Sequence, residues 1–451
     1  MTPRANVIQV GATRKGKTLA AARMIVETPD EAAVILDPHK QSLAQAVLTH
    51  ATGNLLYERL SEIAFTLGFN MLTPSAHSDA QQRHLENQRR AEGFVDILLR
   101  RRDVDGMAGT PLMEEWVMAA IMLYLFQTVR QPLTTLPYAF LPGTEEFTTL
   151  LRGCTLPDIR HKFQQLERLS GRGLRAEVGS ASRLVNAVFR SPAFAARCRG
   201  GFDLGAFLQR RGLLIIERGE EIGDDTMRVI MGAVILLVIE HAKRRPEPHP
   251  PIRIYIDEAT NARLVGAPEL RGLAETNKNG LYWTFLVQNL DFPGGADPVL
   301  QNCVRHEWFG CPYHELARKA ATDVIAGLPP SEQSRAERLA ELTQEIMTLP
   351  PGWRWVRDSA GSRKEYVPLL ENPWVDWPGL RDAKLQEQIQ WIRARPEYGV
   401  PVTPPSSSSS PATPPPPSSS PADSSPAERW RRGRRRQADG SSNSDGGGAS
   451  G

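Results

Sequence analysis

The 451-residue chain is 41% apolar and 23% charged, a balance that buries a sizeable core and leaves room for more than one lobe. A net charge of +3 excludes a broadly basic nucleic-acid-binding domain, so any such surface must come from local charge separation, for example in an oligomeric channel. Four cysteines, behind a start MTPRANVIQV without a signal-peptide pattern, argue for a reducing compartment, the cytoplasm, and against a disulfide framework.

In chain order, Val7 to Val10 reads as a buried strand closed by Gly11 and Leu19 to Val26 as a helix. Ala33 to Leu36 reads as a second buried strand ending at Asp37, completing a parallel α/β unit within residues 1–76. From 77 to 200 the pattern becomes helix-forming and predicts an inserted all-helical lobe. The apolar stretches from Trp116 to Val129 and from Val229 to Ile239 are shorter than the roughly 20 residues of a membrane helix and read as buried helices. No transmembrane segment is expected, so a membrane anchor would have to come from a partner.

The α/β pattern resumes over 201–370. Strands are expected from Leu213 to Ile216, Ile252 to Ile256, Trp283 to Val287 and His306 to Phe309, with a long helix from Thr226 to Lys243. Two helices after Pro312 and a strand in GWRWVRD follow, and 371–400 holds a last helix from Arg381 to Arg395. From about Pro401 the chain turns to Ser/Pro runs, the cluster RWRRGRRRQ and a Gly/Ser end, a composition that predicts a disordered tail over 401–451.

Gly11-Ala12-Thr13-Arg14-Lys15-Gly16-Lys17-Thr18 fits the G-x-x-x-x-G-K-[ST] phosphate loop, with a strand entering and a helix leaving. Backbone N–H groups at the positive helix end cradle phosphates, Lys17 would sit on them, and the Thr18 hydroxyl would meet Mg²⁺. The strand IRIYI delivers Asp257 and Glu258 at the edge where open α/β sheets bind ligands. Asp257 is expected to hold Mg²⁺ through water, and Glu258, on the opposite face of the strand, to polarise the attacking water. Alone, an apolar run ending in Asp-Glu is an ordinary exposed strand end; beside a full phosphate loop it reads as catalytic. Gln288 ends the next strand and is expected beside the γ-phosphate as a sensor of hydrolysis, against the plainer reading of a strand-end amide bonded to backbone.

Together these residues resemble the HerA/FtsK superfamily of DNA-pumping ATPases, and within it the TraG/TraD-like type IV coupling proteins and conjugation-associated relatives. The order phosphate loop, ILDPHK, GFNMLTP, FDLGAFLQRRGLLIIERG, IYIDEAT, TFLVQN and TLPPGWRWV carries the similarity over roughly residues 5 to 370. The resemblance implies a RecA-like, additional-strand catalytic-glutamate core with an inserted helical lobe, using ATP and Mg²⁺. It also implies a homo-oligomeric ring, usually a hexamer, in which a neighbour supplies a basic residue. Arg271 and Lys278 stand at about the family spacing before the Gln288 strand, although an exposed Arg or Lys is more often a solvated surface group. The chain departs from the coupling proteins in lacking an amino-terminal membrane segment, and its basic tail has no family counterpart; RWRRGRRRQ could hold phosphate backbones or an acidic partner.

The function expected is ATP-driven movement of DNA in conjugative transfer, element mobilisation or packaging, with DNA and a membrane-bound or secretion-system protein as partners. The rivals are a nucleotide-gated scaffold without translocation and a ring ATPase that delivers protein to a secretion system. Cys303, His306, Cys311 and His314 have zinc-ligand residue types. His306 reads as part of a core strand, however, and extended chain would carry Cys303 some 25 Å from Cys311, which disfavours a metal site.

Overall fold

The computed structural model describes residues 4–398 except 40–41, 52, 100–110, 246–248, 265–272, 274, 293–294, 369 and 371–377. The tail with its basic cluster, and Arg271, lie outside the described residues.

Mainly apolar runs become parallel strands, because crossover helices cover both faces of such a sheet; Gln9, Glu58 and Arg253 are polar residues buried within them. The strands are β1 (Val7–Val10), β2 (Ala32–Asp37), β3 (Leu55–Arg59), β4 (Leu213–Glu217), β5 (Ile252–Ile256), β6 (Leu281–Val287) and β7 (Arg305–Phe309), followed by β8 (Trp353–Asp358) and β9 (Gly361–Tyr366). They form one nine-stranded sheet in the order β3-β4-β2-β5-β6-β1-β7-β8-β9. The first seven are parallel, while β8 and β9 run antiparallel at one edge. Trp283 and Phe285 of β6 are fully buried and stacked; each contributes about 2–3 kcal/mol of apolar transfer.

The decisive feature is β6, which lies between the phosphate-loop strand β1 and the acidic strand β5. It is the additional strand that the resemblance implied. Registers Val10↔Val287 and Ile256↔Phe285 bring the carboxyl ends of β1, β5 and β6 to one level.

Between β3 and β4 the described residues are mainly helical, with six α-helices and one 3-10 helix from Ala80–Leu99 to Pro192–Arg197. Helix Asp224–Arg244 joins that layer to the core, packing on Ala80–Leu99, Gly171–Phe189 and Leu204–Gln209. Its acidic first turn, Asp224 and Asp225, and its basic last turn both favour the helix dipole. No helix among the described residues is long and apolar enough to cross a membrane.

Two strands escaped the sequence reading. β3 contains Glu58 and Arg59 in only five residues, and β9 reads GSRKEY, a charged edge strand. The last helix, Pro378–Arg393, packs on β3 and on helix Ser42–Leu48, at the opposite edge of the sheet from β9. There Tyr398 Oη donates to the Tyr57 carbonyl at 2.6 Å and accepts from the Tyr57 N–H at 2.8 Å, and Arg395 donates to the Leu55 carbonyl at 3.0 Å. These contacts occupy the free edge of β3, the usual template for unwanted strand pairing.

Candidate nucleotide site

Gly11 must approach β7 closely, since a Cβ there would lie 2.6 Å from Phe309 Cβ. Its N–H donates to Val287 of β6, and Ala12 N–H donates to Gly310 beyond β7, so the loop is pinned by the strand ends on both sides. Gly16 has φ +105° and caps helix Lys17–Val26 from the left-handed region, which a side chain would disfavour. The helix therefore starts at Lys17, two residues before its sequence-predicted start, and its free N–H groups face the loop.

Lys17 is 5% exposed, and its ammonium donates to the carbonyls of Gly11 at 2.6 Å and Ala12 at 3.1 Å. Burial lowers its pKa, opposed by the carboxylates of Glu258 and Asp257. Thr13 and Arg14 are exposed at the loop tip, with Arg14 at φ 64°. Lys15 turns away from the cavity and donates to the Leu349 carbonyl at 2.9 Å, while its own carbonyl accepts from Gly352 N–H at 3.0 Å. The turn after helix Arg335–Thr348 is thereby fastened to the phosphate loop.

Thr13, Arg14, Gly16, Lys17, Thr18, Asp257, Glu258, Leu19, His39 and Pro351 line a single cavity of about 350 Å³. Lys17 and Asp257, 240 residues apart in sequence, thus share one space. The expectation that Glu258 projects from the opposite face of its strand is corrected. β5 ends at Ile256, and Glu258 adopts φ 48°, so both carboxylates enter the same cavity. Such left-handed strain in a non-glycine residue is retained where neighbours hold it, and here they do. Glu258 Oε1 accepts from Gln288 Nε2, and Oε2 accepts from Asn261 Nδ2 at 2.9 Å. Gln288 therefore meets the cavity through Glu258. Asn261 was not found from sequence; its position three residues after Glu258, in a helix of one turn, was the available signal.

Asp257 is 5% exposed. Burial pushes its carboxyl up to about 7, reinforced by Asp37 and Glu258 and opposed by Lys17. This surplus of negative charge, with the Thr18 hydroxyl on the same cavity, is an oxygen donor set that suits a hard divalent cation. His39, exposed on the loop after β2, has its imidazole lowered by desolvation against the cavity walls, with Glu258 opposing.

Lys278 is exposed in the short turn Asn277–Asn279 before β6, at the amino end of the strand. A seven-residue strand spans roughly 23 Å, which separates it from the cavity of its own chain. His306 is in β7, as expected. Its ring nitrogens face the Asp323 carboxylate and the carbonyls of Leu300 and Cys303. Among the described residues no group of His, Cys, Asp or Glu is arranged to hold a metal by such ligands alone.

No protein-family model and no curated protein matches the sequence. Solved structures match the fold. The plasmid coupling protein TrwB in complex with ADP and Mg²⁺ aligns at a TM-score of 0.56 and 17% identity, covering 82% of this chain and 86% of that one. TrwB with the ATP analogue ADPNP aligns at 0.57 and 16% identity over 82% and 86%. VirB4 of Thermoanaerobacter pseudethanolicus aligns at 0.50 and 12% identity over 82% and 90%. The likeness at these identities is one of fold, the α/β P-loop core of the bacterial conjugative coupling protein and of VirB4.

Proposed function

We propose that this chain is an ATPase that spends ATP to move DNA, in conjugative transfer or a related mobilisation process. One observation carries the reading: a phosphate loop and a paired carboxylate, 240 residues apart, line one cavity beside the additional strand. The structural likeness to TrwB, whose complexes contain ADP with Mg²⁺ or ADPNP, supports it.

In the mechanism, N–H groups of residues 13 to 18 and the Lys17 ammonium hold the β- and γ-phosphates. Thr18 and Asp257 would hold Mg²⁺, which when bound neutralises charge on the phosphate oxygens. Glu258 orients a water in line with the γ-phosphorus and accepts its proton as the new P–O bond forms and the bond to the bridging oxygen breaks. Gln288, tethered to Glu258, reports the change to the loop after β6. Hydrolysis does work on DNA only if loops have two arrangements of different affinity.

Lys278 is out of reach of its own cavity, so any catalytic role for it needs a neighbour in a ring. Arg271 is the second candidate, and the hexamer is the expected assembly. The fastening of both Glu258 oxygens favours turnover over a nucleotide-gated scaffold, which has less need of an oriented carboxylate.

The test is ATP hydrolysis with and without DNA in the native protein, Lys17→Ala and Glu258→Gln. DNA stimulation in the first, lost nucleotide binding in the second and retained binding with blocked turnover in the third are expected. Hydrolysis indifferent to DNA across a range of salt would remove the translocase reading.

A further inference from the structure

The cavity wall includes a histidine, His39, that the mechanism above leaves unused. It follows β2, the strand on the far side of β5 from β6 and β1. β2 and β5 are paired with Leu36 level with Ile256, which sets Asp37 level with Asp257. Asp257 N–H donates to the Leu36 carbonyl at 3.0 Å, and Arg218 N–H to the Asp37 carbonyl at 3.1 Å, so the strand end is fixed on both sides. Asp37 Oδ2 accepts from the N–H groups of Leu43 and Ala44 at 3.1 and 3.0 Å, capping helix Ser42–Leu48. Directly after the strand end, Pro38 is buried and His39 stands exposed, in the wall of the cavity that holds Lys17, Thr18, Asp257 and Glu258.

Resting on the ATPase reading, we propose that His39 is a further catalytic residue, presenting its imidazole N–H to an equatorial oxygen of the γ-phosphoryl group. Strand order places His39 and Lys17 on opposite sides of the carboxylate pair. β2 and β1 are three strand spacings apart, roughly 14 Å, a gap that two side chains and a terminal phosphate fill. Lys17 covers the phosphates from the β1 side, and from the β2 side the cavity is lined by His39. A donor there offsets the charge that spreads over the equatorial oxygens as the bond to the bridging oxygen lengthens. The imidazole gives a hydrogen bond and transfers no proton; the water proton still leaves through Glu258. A donor whose bond strengthens in the transition state raises kcat and leaves ATP affinity nearly unchanged.

The experiment compares the native chain with His39→Ala, His39→Gln and Glu258→Gln, measuring steady-state ATP hydrolysis, binding of a fluorescent ATP analogue and thermal melting. His39→Ala is expected to lower kcat about 10²-fold, the scale for loss of one transition-state donor, with analogue affinity and melting held. His39→Gln, whose amide N–H reaches a similar distance, should recover part of that loss. Turnover of His39→Ala within about twofold of native, while Glu258→Gln is blocked, overturns the role of His39 and leaves the ATPase reading standing. Equal losses in the Ala and Gln variants with weakened analogue binding would overturn it too, marking His39 as a packing residue. A native chain that hydrolyses no ATP would remove both.

Discussion

Gln288 Nε2 donates to Glu258 Oε1, joining the end of the additional strand to the carboxylate proposed to orient water. A hydrogen bond to a charged group is worth about 1.5–3 kcal/mol, or about one to two decades of rate if felt mainly in the transition state. Gln288→Ala should therefore lower kcat about 10-fold or more while ATP binding persists. Asn261, on the other carboxylate oxygen at 2.9 Å, should give a similar but separate loss. A double-mutant cycle on hydrolysis rates measures whether the two act together on Glu258.

Gly11→Ala tests the close approach of β1 and β7. The added Cβ would meet Phe309 Cβ at 2.6 Å, so backbone must shift. A cost of about 1–3 kcal/mol is expected from overpacking. The shift falls on the loop proposed to cradle phosphates, so nucleotide affinity should fall with the melting temperature, as calorimetry with and without ATP would show.

The buried pair Glu58–Arg197, both side chains fully inaccessible and 2.6 Å apart, should behave asymmetrically. Arg197→Leu leaves a buried carboxylate unpaired and should cost about 3–5 kcal/mol, whereas Glu58→Leu/Arg197→Leu should recover much of it. Burial pushes the Glu58 carboxyl up from 4.5 to about 7, against the pull of Arg197. Between those values the folded chain holds a proton that the unfolded chain has released. This group's contribution to stability is therefore full below pH 4.5 and declines as pH rises towards 7. Denaturant midpoints across that range should show the decline in the native chain and lack it in Glu58→Gln.

Tyr398→Phe removes one hydroxyl that serves both the N–H and the carbonyl of Tyr57. Each unsatisfied group costs about 1–3 kcal/mol if it stays dry. The variant should unfold earlier in urea and scatter more light on heating, because the edge of β3 is left open to other chains.

The fold was legible where one short run of residues carries its own physics. VIQV into a glycine turn, IRIYI into Asp-Glu and the strand before Gln288 are mainly apolar segments with a polar end, and each is a central strand. What the sequence hid was set by distant partners. Glu58 sits inside a strand because Arg197 reaches it from 139 positions away. β9 forms from charged residues because β8 offers it a ladder. The shared cavity for Asp257 and Glu258 depends on a left-handed turn that alternation along a strand does not foresee. His39 gains meaning only once strand order sets β2 beside β5.

The clasp between Tyr57 and Tyr398 also imposes a timetable on synthesis. Its two halves are 341 residues apart, and at about 5–20 residues per second the ribosome needs roughly 20 to 70 s to deliver the second after the first. Throughout that interval the margin of β3 has no cover from its eventual partner. The nascent chain must be shielded by other means until its last helix emerges, and a message truncated before that helix would yield a permanently adhesive product.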